Sequence, residues 1–172
     1  MRRRGLLLAA LASPCTPGAA RAHDGFPATV EVAGMRLVLN GTGSRLYSVL
    51  RIEVYRAALY LTAPARTAEA ILASSTPKLI EARFRRDVPL EGVAAAWEDS
   101  LGALPAAFRA WLRPIAAGDV ERWLFLDGEA RLEGPGRPPA RLADAAFARR
   151  LLAAWIGPAA PTEALRRGLL GL

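Results

Sequence analysis

Arg45 and Tyr55 stand ten residues apart, and a guanidinium beside a phenol has a definite chemistry. The guanidinium presents N–H donors in a rigid fork that suits a carboxylate or a ketone oxygen, and the phenol adds a group that both donates and accepts. Just upstream, Gly41-Thr42-Gly43 reads as a turn that delivers Arg45 to the start of a long apolar strand. Glycine there would serve a bulge or a close backbone approach. At the mouth of an apolar sheet, such a pair grips a polar head while the rest of a ligand lies in hydrocarbon. By residue type alone each side chain also has a plainer reading. Arg45 is one arginine among many and suits a solvated surface. Tyr55 suits a core strand with its hydroxyl satisfied locally.

Other chemistries are short of residues. His23 is the single histidine, which excludes a histidine-based triad or a histidine-cluster metal site. As the first residue after a cleavage at Ala22, His23 would offer copper an imidazole and an amine but no second histidine. No G-x-S-x-G elbow or phosphate-cradling loop occurs. Gly41-Thr42-Gly43 lacks the spacing of a dinucleotide fingerprint. No cofactor is expected.

The elements that must position Arg45 and Tyr55 are mostly strands. Ala28–Val32 and Met35–Leu39 alternate around Ala33-Gly34 and predict a hairpin. Leu46–Leu61 is the longest β-rich run. Its alternation changes parity at Val54-Tyr55, which predicts either a bulge that re-aims Tyr55 or a strand buried on both faces. Thr67–Ser74 predicts a short helix capped by Thr67. Lys78–Arg85 predicts a strand with one wet face, carrying Arg83 and Arg85. Leu90–Leu101 and Ala106–Ala117 predict helices, the second shortened or kinked by Pro114. Glu121–Leu126 and Ala130–Glu133 flank Asp127-Gly128-Glu129 as a second hairpin, followed by a loop at Gly134–Pro139. Asp144 opens an amphipathic helix with Phe147, Leu151, Ala154 and Trp155 on one face, ending at Gly157-Pro158. Thr162 caps a last short helix. This order predicts an α+β fold, an antiparallel β-sheet covered on one side by helices.

The N-terminus reads as a targeting segment. Arg2-Arg3-Arg4, the apolar run Gly5–Ala12 and Ala20-Arg21-Ala22 are the three parts of a cleavable signal peptide over residues 1–22, too short in its apolar part to span a bilayer. Cys15 follows Pro14, a poor lipobox, and belongs to the removed peptide. The expected location is periplasmic or secreted. The whole chain carries +7, and residues 1–22 hold four arginines and no acid, so the remainder carries about +3. That is no nucleic-acid footprint, though weak attraction to an anionic membrane surface is allowed. Residues 23–172 contain no cysteine and are long enough for one domain that stands on its hydrophobic core. Oligomeric state is not legible.

Three stretches carry a resemblance. Gly41-Thr42-Gly43-Ser44-Arg45, followed by Val54-Tyr55 and Leu59-Tyr60-Leu61, resembles the G-x-G-x-R and V-Y-x-x-x-L-Y-L motifs of the chalcone isomerase-like family. Lys78–Arg86 running into Asp87-Val88-Pro89 resembles its strand, R-D-V and helix step. Trp155-Ile156-Gly157-Pro158 with Pro161-Thr162 and Leu165 resembles its W-[IL]-G-x-x-P-x-S/T-x-x-L tail. The likeness spans Pro27 to Leu172. It implies an open-faced antiparallel sheet with a helical layer and a ligand cleft between them. Arg45 matches the arginine that polarises the ketone in the isomerases and grips the carboxylate in the plant fatty-acid-binding members. Tyr55 falls where the isomerases have threonine and the fatty-acid binders tyrosine. The isomerases also carry a second active-site tyrosine and an asparagine on the helix after R-D-V, whereas Leu90–Trp97 offers neither.

The resemblance therefore implies a bacterial, exported, non-catalytic binder of a fatty acid or similar apolar anion, with Arg45 and Tyr55 at the head group. Trp97 and Phe108, with Trp111, are expected either to line the cleft or to serve as plain core. Two other readings stay open: an isomerase or intramolecular lyase of unknown substrate, and a periplasmic protein-interaction module without ligand.

Overall fold

Among the described residues, seven strands and five helices follow one another in an order that keeps every strand beside its sequence neighbour. A computed structural model describes residues 24–47 and 50–172; the expected signal segment 1–22 and His23 lie outside the described residues. The strands are β1 (Thr29–Val32), β2 (Met35–Tyr47), β3 (Ile52–Leu61), β4 (Lys78–Phe84), β5 (Val120–Leu126), β6 (Glu129–Glu133) and β7 (Ala140–Leu142). They form one antiparallel sheet in the order β1 to β7. The helices are α1 (Ala68–Ala73), α2 (Leu90–Leu101), α3 (Ala106–Trp111), α4 (Ala145–Ile156) and α5 (Glu163–Leu169). The expected α+β class and antiparallel sheet are what the chain adopts.

Local signals explain the boundaries. The side chains of Thr67, Asp144 and Thr162 accept from the N–H groups of Ala70, Phe147 and Leu165, satisfying donors left over at the starts of α1, α4 and α5. Asp127 and Gly128 take φ of 53° and 76°, the pair of left-handed residues that a tight β5–β6 hairpin needs. The second middle helix stops at Trp111, well before the expected Ala117, because Pro114 lacks the N–H to continue it. The run Leu46–Leu61 is interrupted by a turn at Leu50-Arg51, so β2 and β3 form a long hairpin.

Tertiary packing overrides two expectations. Gly41 and Gly43 are no turn: both lie inside β2. A Cβ on Gly43 would sit 2.5 Å from the Leu165 carbonyl oxygen and 3.0 Å from its Cα, so the pair admits α5 into backbone contact with β2. The second face of β4 is also drier than its alternation predicts. Phe26, Leu37, Ala58, Tyr60 and Leu79 form a small core there, with the Tyr60 hydroxyl donating to the Pro27 carbonyl at 3.0 Å. Arg83 sits with its Cζ 4.2 Å from the Phe26 ring centroid, so only Arg85 on that face is well exposed. The main core fills the opposite face, where β3 to β7 meet α4.

Candidate functional site

Arg45 on β2 lies directly opposite Tyr55 on β3, and cross-strand partners share a face of the sheet. The pairing depends on an irregularity. Arg45 pairs with Tyr55 and Leu46 with Glu53, so Val54 is an extra residue whose carbonyl accepts from the Arg85 N–H at 2.9 Å. This is the expected bulge. It places consecutive residues Val54 and Tyr55 on the same side, where both line a cleft of about 470 Å³ between the sheet and the helices. Beyond the bulge β3 is buried on both faces as well: Ala57 and Leu59 face the main core, Ala58 and Tyr60 the smaller one. The two alternatives read from the sequence are therefore both realised, in different halves of the strand.

Helix α2 roofs the cleft. Gly92, Val93, Ala96, Trp97 and Ser100 line it, the spacing of one helical face. Gly92 and Ala96 leave room, and Ser100 is the only hydroxyl this helix contributes. Tyr55 closes the inner wall, edge-on to Phe84 and Trp155 at centroid distances of 5.3 and 5.7 Å. Arg45 and Arg86 supply positive charge to the lining.

The electrostatics favour a neutral phenol beside a cation. Burial pushes the Tyr55 hydroxyl up to about 12; Arg45, as charge and as hydrogen-bond partner, opposes that rise, and the Glu121 carboxylate adds to it. The Tyr55 proton is thus held more tightly in the folded chain than in the unfolded one. The stability this contributes is intact below about pH 10 and is lost as pH climbs toward about 12. An alkaline absorbance titration is expected to show two late phenols near that value, because burial pushes Tyr60 up to about 12 as well, and one of the two is expected to be lost in Tyr55→Phe. Ionisation of all phenols near the ordinary value would contradict this environment.

Three of the five residues picked out from the sequence, Arg45, Tyr55 and Trp97, meet at the cleft. Phe108 does not line it. Its ring is fully buried and packs 5.6 Å from Trp97 and 6.0 Å from Trp123, behind the cleft wall, and Trp111 stacks on it at 6.5 Å in the same aromatic cluster. Sequence reading missed Trp155 and Glu121, which also line the cleft. Glu121 shares strand parity with Trp123 and Phe125, which marks an acid on an apolar face. Its side chain is nearly buried and pairs with the Arg137 guanidinium, itself 3.6 Å from the Trp111 ring centroid. Burial pushes the Glu121 carboxyl up, and Arg137 only partly restores it.

A curled antiparallel sheet and a helical layer with a cleft between them define a class of α+β fold. Within it, this chain belongs to the chalcone isomerase-like family, whose model matches residues 21–171. A fatty-acid binding protein of Arabidopsis thaliana, known from its crystal structure, superposes with a TM-score of 0.61 at 16% identity, over 84% of this chain and 90% of that one. At that identity the likeness is one of fold. No curated protein matches the sequence.

Proposed function

We propose that this protein is an exported, non-catalytic binder of a fatty acid or a similar amphipathic anion. The observation that carries the reading is Arg45 set opposite Tyr55 on one wall of a cleft roofed by the apolar face of α2. A guanidinium and a neutral phenol hold a carboxylate by charge-assisted bonds, and the roof of Gly92, Val93, Ala96 and Trp97 receives an acyl chain. A cleft of about 470 Å³ falls within the ~300–1,000 Å³ of small-molecule sites. The fatty-acid binding name of the Arabidopsis protein with the same fold and the absence of tyrosine and asparagine from Leu90–Trp97 lend further support. Export rests on the three-part segment at residues 1–22.

The test is lipid extraction and mass spectrometry of the purified protein, followed by titration with dodecanoate. Wild type is expected to bind, and Arg45→Ala to bind roughly 10- to 100-fold more weakly, the ~1.5–3 kcal/mol of hydrogen bonds to a charged group. An Arg45→Ala protein that keeps full affinity would place the head group elsewhere and end this reading.

A further inference from the structure

The cleft holds a second polar locus, one that a simple fatty acid leaves unused. Glu121 lines the cleft with its carboxylate almost wholly buried. A carboxylate has about four acceptor positions, and the Arg137 guanidinium bonds Oε1 from behind. Among the described residues the indole Nε1 of Trp155, a lining residue, has no hydrogen-bond partner, but that nitrogen is sealed from the cleft. The carboxylate of Glu121 is therefore what this locus offers a ligand.

Sheet register fixes where this locus lies. Glu121 pairs with Ala82, and Ala82 with Ala57, two residues deeper than Tyr55 on the same face and two strands across. Strand spacing makes that about 12 Å between Cα atoms, and both side chains reach into the same cleft. The residues between them on that deeper row, Ala57 and Ala82, are small.

Resting on the reading of a fatty-acid-like ligand held at Arg45 and Tyr55, we propose that the ligand is a hydroxylated amphipathic acid, whose hydroxyl, a few carbons from the carboxylate, donates to Glu121. A hydroxyl is a small uncharged donor, which matches the acceptor positions that Arg137 leaves open on a buried carboxylate. A plain acyl chain lays methylenes against those positions in a desolvated site.

The test compares dodecanoate, 3-hydroxydodecanoate and 12-hydroxydodecanoate by calorimetric titration of the purified protein. The 3-hydroxy acid is expected to bind about fivefold tighter or more than dodecanoate, the gain of one such hydrogen bond. The 12-hydroxy acid should show no gain. In the double variant Glu121→Met, Arg137→Met, which removes the carboxylate without stranding the guanidinium, the preference for the 3-hydroxy acid should disappear. Equal or weaker binding of the 3-hydroxy acid by wild type overturns the proposal while leaving fatty-acid binding standing. Its preference surviving in the double variant also overturns it. Should none of the three acids bind, the underlying function fails as well. If the double variant does not fold, the wild-type series alone decides.

Discussion

Arg137→Ala is expected to destabilise the protein by about 3–5 kcal/mol, lowering the melting temperature by roughly 10 °C or more. Arg137 reaches back from the Gly134–Pro139 loop to bond Glu121, donates to the Trp111 carbonyl at 3.3 Å, and lies over the Trp111 ring. Truncation leaves an ionised carboxylate in an apolar setting with no counter-charge. Burial already pushes the Glu121 carboxyl up despite the pair, so removing Arg137 should push it further in the same direction. The pair as a whole is a different matter. Two buried charges repay their desolvation only partly, so Glu121→Met with Arg137→Met should destabilise less than Arg137→Ala does. Denaturant melts of the three proteins check this. A double variant as unstable as Arg137→Ala, or more so, would show that the two side chains do not act as a unit.

Gly41→Ala is the second large effect, about 3 kcal/mol or more, and it should act through α5. A methyl on Gly41 would lie 2.8 Å from the Gly171 nitrogen and 2.9 Å from the Leu169 carbonyl oxygen, with the Gly168 carbonyl closer still. These are backbone atoms and cannot rotate away, so α5 must lift off β2. Gly34→Ala makes the informative control. Its φ is +75° with nothing within 4 Å of the added methyl, so it carries only backbone strain, about 1 kcal/mol. Hydrogen exchange should show α5 amides loosened in Gly41→Ala and unchanged in Gly34→Ala. Equal, small effects would contradict the close approach.

Much of the site was legible before any fold was known. The parity change at Val54-Tyr55 marked the bulge because side-chain alternation is a property of a few consecutive residues. Thr67, Asp144 and Thr162 announced their helices for the same reason: a cap and the N–H groups it satisfies are three residues apart. Arg45 and Tyr55 were picked out by spacing and motif, and a single hairpin brings them opposite each other. Phe108 was misleading. An aromatic on a short apolar helix is compatible with a wall or a filler, and only the position of Trp97 in front of it made it filler. Glu121 was overlooked because its partner Arg137 stands in a loop that showed no periodicity at all.

The amino-acid sequence by itself determined the succession of strands and helices apart from β7, the caps of α1, α4 and α5, the Asp127-Gly128 turn, and the family motif that carries Arg45 and Tyr55. Each of these is set by torsional preference, alternation or capping over a short stretch of chain. Tertiary structure alone decided that Gly41 and Gly43 serve α5, that Glu121 faces the cleft with Arg137 behind it, and that Phe108 is turned away. Those outcomes depend on which distant segments pack together, and close packing, unlike periodicity, leaves no repeating mark in the sequence.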